Sequence, residues 1–154
     1  IAVCGRTGGC IGFDPGTRTW RVIPAATGAA APTVAVATDL GLTMVVQTKA
    51  EGSPVAIEVL TDEGWEQHAS GIPVERFDSV SVAAAGEWLA ILASGQPPVV
   101  VHVPTGVWHV ASDSPLIGME APNSVWTGEQ LVVWGGVPDD GSIHVGADWT
   151  PPTA

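Results

Sequence analysis

A tryptophan closes four similar stretches of this 154-residue chain, at Trp20, Trp65, Trp108 and Trp149, in steps of 45, 43 and 41 residues. Each is preceded by a strand-like run and a turn, over 10–20, 55–65, 99–108 and 142–149. Gly41, Gly86 and Gly128 keep nearly the same beat, 45 and 42 residues apart. A glycine beside a hairpin turn gives the backbone positive φ without a Cβ clash. A chain that repeats at this interval is built from like units, each too small to bury its own apolar face, stacked on one another.

Laying the repeats side by side predicts their strands. The second unit reads as strands over 33–38, 42–48, 55–60 and 65–68, and the third over 78–84, 88–93, 99–103 and 107–111. The fourth reads as 123–127, 130–136 and 142–145, with Trp149 opening a last strand. The first unit offers only 2–5, 9–13 and 19–23, with nothing to serve as an innermost strand. Four short strands recurring every 40 to 50 residues are the mark of a propeller blade. The expected fold is therefore all-β: a β-propeller fragment of three four-stranded antiparallel blades and one three-stranded blade, with units at about 1–23, 33–69, 78–112 and 123–154. Nineteen glycines and thirteen prolines suit many short strands joined by turns and leave little room for helix. The four recurring tryptophans are expected to fill the wide outer part of each wedge between sheets, too far apart to form one aromatic cage. An arc of this kind leaves an apolar face at each end, which the rest of the propeller on another chain, or a second copy of this one, is expected to cover.

Charge narrows the partners. Acidic residues number 16 against 5 basic, a formal net charge of −11. A phosphate backbone would be repelled, so nucleic acid is not an expected partner. No stretch is free enough of charge and turn residues for a transmembrane helix. The chain opens at Ile1, inside a strand, as expected of a processed chain or of a piece of a longer one. Cys4 and Cys10 flank a hairpin-like loop at 5–9, where neighbouring strands could bring them into disulfide range. Two separate buried thiols fit the same spacing. A bridge would point to an oxidising compartment, extracellular or in the cell envelope, with the cytoplasm the alternative setting for free thiols.

The segment Val125-Trp126-Thr127-Gly128-Glu129-Gln130-Leu131-Val132-Val133-Trp134-Gly135-Gly136 resembles the strand–turn–strand ending in paired glycines of bacterial Kelch-type, galactose-oxidase-like propellers. Phe13-Asp14-Pro15-Gly16-Thr17-Arg18-Thr19-Trp20 resembles the aromatic, Asp-Pro, turn and Thr-Trp of the same repeat. In the second and third units Gln47-Thr48 and Leu92-Ala93 replace the paired glycines. The resemblance implies a scaffold that binds proteins or glycans through its loops. It also implies an alternative, a fragment or accessory domain of a secreted carbohydrate-active or oxidase enzyme. The copper chemistry of such oxidases needs tyrosine, and this chain has none. The arginine cluster of sialidase-like propellers is equally missing from Arg6, Arg18, Arg21 and Arg76.

Direct inspection finds little catalytic chemistry. His68, His102, His109 and His144 fall on outward positions of separate strands and are not expected to converge on a metal ion. Neither a Gly-x-Ser-x-Gly elbow nor a His-Glu-x-x-His pair occurs. Asp62-Glu63-Gly64 and Asp139-Asp140-Gly141 read first as turns, with Asp as the turn former. Asp139 and Asp140 are also candidates as calcium ligands or for a polar contact near the ring opening, though no twelve-residue calcium loop accompanies them. Arg6, Lys49 and Gln96 occupy the corresponding loops of the other units, and Trp88, after a Gly-Glu turn, is the aromatic best placed for contact. These six are the candidate ligand contacts. No catalytic residue, cofactor or metal is expected, and the function expected is non-catalytic binding.

Overall fold

The computed structural model describes residues 2–4, 10–26, 33–47, 54–74, 80–111, 119–120, 123–134, 137–138 and 147–149. These form antiparallel sheets with no helix among them. The first sheet joins β1 (Ala2–Cys4), β2 (Cys10–Asp14) and β3 (Thr19–Ile23) in that order. The second is a four-stranded meander of β4 (Thr33–Thr38), β5 (Gly41–Gln47), β6 (Val55–Thr61) and β7 (Gly64–Ile72). The third repeats it with β8 (Val80–Ala85), β9 (Trp88–Ala93), β10 (Val99–His102) and β11 (Val107–Val110).

Three of the recurring tryptophans take the same place in their ladders. Trp20, Trp65 and Trp108 are each the second residue of the last strand, opposite Phe13, Leu60 and Val101. Trp149 does not. The strands β12 (Met119–Glu120), β13 (Asn123–Trp126), β14 (Leu131–Trp134), β15 (Val137–Pro138) and β16 (Ala147–Trp149) complete the fold. In the fourth sheet, ordered β13-β14-β16, Trp149 pairs directly with Leu131. It thus stands one strand nearer the start of its sheet than the spacing predicts. The cause is a longer hairpin. Trp134 faces Asn123, and four residues on Pro138 faces Met119, so β12–β15 continues the register of β13–β14. Residues 137–138, expected in a loop, are spent on that ladder, and among the described strands β16 pairs with β14. The expected strand at 142–145 lies outside the described residues, as do the side chains of β16.

Strand alternation decides how the sheets stack. In the second sheet Met44, Val46 and Ala56 point one way and meet Cys10 and Ile23 of the first, and Ala26 just after it, with Trp65 packed at the edge. Val45, Val55, Ile57 and Val59 point the other way and meet Leu89, Ile91, Val99 and Val101 of the third sheet, with Trp108 at the edge. The opposite face of the third sheet, through Ala90, Leu92 and Val100, meets Leu131 and Val133 of the fourth. The second and third sheets each bury their two faces against different neighbours, which is why β5, β6, β9 and β10 are apolar almost throughout.

Direct bonds add to this apolar contact. Trp65 Nε1 donates to the Pro24 carbonyl at 2.6 Å, tying the second sheet to the end of the first. The Asp39 amide donates to Gly86 O at 3.3 Å, joining the β4–β5 and β8–β9 turns. His68 Nδ1 lies 3.1 Å from Val103 O, so the β10–β11 turn sits on β7. Gly106, at φ 68°, is the point of closest approach: a Cβ there would overlap the His68 carbonyl oxygen.

Candidate ligand-binding surface

The meander sends its connections to two opposite ends. Turns β2–β3, β4–β5, β6–β7, β8–β9, β10–β11 and β13–β14 gather at one end, and the β9–β10 loop lies at the other. Of the candidate contacts, Gln96 and Trp88 fall among the described residues; Arg6, Lys49, Asp139 and Asp140 lie outside them. Trp88 begins β9 and Gln96 follows its end, so the structure sets them at opposite ends of one strand. They cannot touch a single small ligand. Gln96 is held by its own amide, which donates to Ala93 O at 3.2 Å in the β9–β10 loop.

Trp88 stands in a cluster that spacing alone does not disclose. Its ring lies 4.7 Å from His102, its partner across the β9–β10 ladder, and 6.2 Å from His109 in an edge arrangement. Register brings these together: Val100 faces His109, and His102 faces Val107 next door. The sequence shows the strand runs at 88–93, 99–103 and 107–111, but the cluster needs the register of all three strands to be read. His102 Nδ1 is 2.8 Å from Thr105 Oγ1. Its Nε2 is 3.4 Å from Glu87 Oε2, close enough for an ion pair when the imidazole is protonated but not aligned as a hydrogen bond. The half-buried indole, two imidazoles and an exposed carboxylate form a platform for stacking and polar contact. Among the described residues no three His, Cys, Asp or Glu side chains are grouped to hold a metal ion.

The turn end also carries most of the described carboxylates. A cleft of about 1430 Å³ opens between the first and second sheets, lined in part by Asp14, Arg21, Asp62 and Glu63. Asp14 serves its own turn. Its Oδ1 accepts from the Gly16 amide at 2.8 Å and from Thr17 at 3.4 Å. Those bonds, the Gly16 amide foremost, hold its carboxyl below the ordinary aspartate value.

Asp62 behaves otherwise than expected. Thr61 closes that turn: its hydroxyl donates to Gly64 O at 2.9 Å and accepts from the Glu63 amide at 3.3 Å. Thr38 and Thr127 do the same for Gly41 and Gln130, at 3.3 and 3.1 Å. A threonine hydroxyl, one or two positions before the acid, is the recurrent turn former, and the Asp62 carboxylate is left facing the cleft.

At the other end β1 and β2 set Cys4 and Cys10 opposite each other in register. Cys10 is buried and disulfide-bonded, and Cys4 is the only other cysteine of the chain. Among the described residues no helix is long and apolar enough to cross a membrane. No protein-family model matches the chain, and no curated protein is significantly similar to it.

Proposed function

We propose that this chain is part of a Kelch-like β-propeller and serves as a non-catalytic scaffold that binds a protein or a glycan through the loops between its strands. Its sheets are then successive blades, and the apolar contacts between them are blade-to-blade packing. One observation carries the reading: Trp20, Trp65 and Trp108 hold the same ladder position in three successive sheets, each packed face to face on the next. Rigid repeated sheets with variable connections are what a binding scaffold needs. The Trp88–His102–His109 platform supplies an aromatic contact at the turn end. The buried disulfide of Cys10 favours an extracellular or cell-envelope setting.

Titrating isotope-labelled protein with panels of glycans and peptides, followed by backbone amide shifts, tests the reading. Saturable shifts confined to the turns or loops at one end, weakened by Trp88→Ala or Gln96→Ala, are the expected result. Glycan cleavage or oxidation during the titration would overturn the non-catalytic part. The absence of saturable shifts with every member of both panels would overturn the binding part.

A further inference from the structure

The stacking has a direction. The face of the second sheet that carries Trp65 packs on the first sheet, and the face of the third that carries Trp108 packs on the second. In the first sheet the same face is built by Phe13 and Trp20, stacked at 4.9 Å, together with Ile11 opposite Val22. No described sheet covers it: Trp20 is 59% exposed and Val22 82%. The stack ends in the complementary way. The fourth sheet gives Leu131 and Val133 to the third, and its other face leaves Val125 and Trp134 exposed at 48% and 42%. None of these six residues carries a charge, in a chain of net charge −11. Uncharged apolar surface gathered on one face of a sheet marks an interaction site rather than ordinary exposure.

We propose that a second copy of this chain covers these faces head to tail, the Val125–Trp134 face of one copy seated on the Ile11–Trp20–Val22 face of the other. The argument is continuity with the interfaces inside the molecule. All three internal junctions join a tryptophan-type face, or its positional equivalent in the fourth sheet, to the opposite face of the sheet before it. Among the described sheets, the two exposed faces are the one remaining pair of that kind. The junction is heterologous, so two copies close into a ring when both pairs of faces meet. This inference rests on the observed face pairing and stands apart from what the loops bind.

Sedimentation of the chain from 1 to 100 micromolar is the test, on the wild type and on two variants that alter exposed positions, Val22→Asp and Val125→Asp. A buried aspartate would weaken the junction roughly tenfold or more. Each variant alone is expected to sediment largely as monomer with an unchanged β-sheet spectrum. An equimolar mixture of the two is expected to regain association, because one junction then joins two unaltered faces. Val107→Asp, on the third sheet and 60% exposed, is expected to associate as the wild type does. A wild type that stays monomeric at 100 micromolar overturns the proposal. So does association that the single variants leave intact, or that their mixture fails to restore.

Discussion

Replacing Gly106 by alanine isolates the contact between the second and third sheets. The backbone there has φ 68°, where a side chain costs roughly 1–2 kcal/mol. The added Cβ also overlaps the His68 carbonyl oxygen of β7, and backbone cannot swing away as a side-chain tip can. The β10–β11 turn must therefore lift, which breaks the 3.1 Å contact between His68 Nδ1 and Val103 O, worth about 0.5–1.5 kcal/mol. Alanine recovers about 0.4–1 kcal/mol by narrowing the unfolded ensemble. The net loss expected is on the order of 2 kcal/mol. Gly71→Ala is the matched control, since Gly71 has φ 72° and nothing within 4 Å of a built Cβ. It carries the backbone cost alone. Urea unfolding followed by tryptophan emission should move the midpoint about 0.25–0.75 M further for Gly106→Ala than for Gly71→Ala, given a slope of about 2 kcal/mol/M. Equal shifts would refute the reasoning, because the docking of the turn on β7 would then add nothing to the backbone term.

Three further outcomes are expected. Thr61→Ala should cost about 0.5–1.5 kcal/mol in the same assay while Asp62→Ala stays near zero; the reverse order would return the turn to the aspartate. Thiol titration of the unreduced protein in denaturant should find no free thiol, and reduction should cost on the order of 2 kcal/mol, the closed loop being short. The Asp14 carboxyl should titrate by NMR below the ordinary aspartate value. Its turn bonds are then fully present above that ordinary value and are lost as pH falls through the depressed one, the Gly16 amide signal moving with it. An unshifted Asp14 midpoint would remove those bonds from solution.

Much of the strand pattern was legible because it is written locally. Largely apolar runs over 42–47, 55–60 and 88–93, set off by Gly41, Gly64 and Gly86, yield strands and turns without knowledge of distant residues. The positions of Trp20, Trp65 and Trp108 followed for the same reason. Trp149 did not, since which strand reaches β14 depends on how far the β13–β14 hairpin runs. The turn chemistry was misread at Asp62 because Thr-Asp-Glu-Gly offers two side chains able to close the same turn, and only geometry chooses between them. The candidate surface was legible in part. Trp88 was singled out, but its histidine neighbours depend on the register of three strands. The same strand direction that places Trp88 at the turn end carries Gln96 to the far end.

The apolar interior is divided among three junctions rather than gathered in one centre. Each sheet answers only to its immediate neighbours, so stability is set junction by junction along the stack. The second and third sheets are clamped on both sides. Within one copy, among the described residues, the first and fourth are clamped on one, and they can open while the middle stays folded. A substitution in an outer sheet is thereby felt one junction away and little further. Such a molecule can revise its ends, the parts that meet other molecules, while the memory of its fold is kept in the two sheets between them.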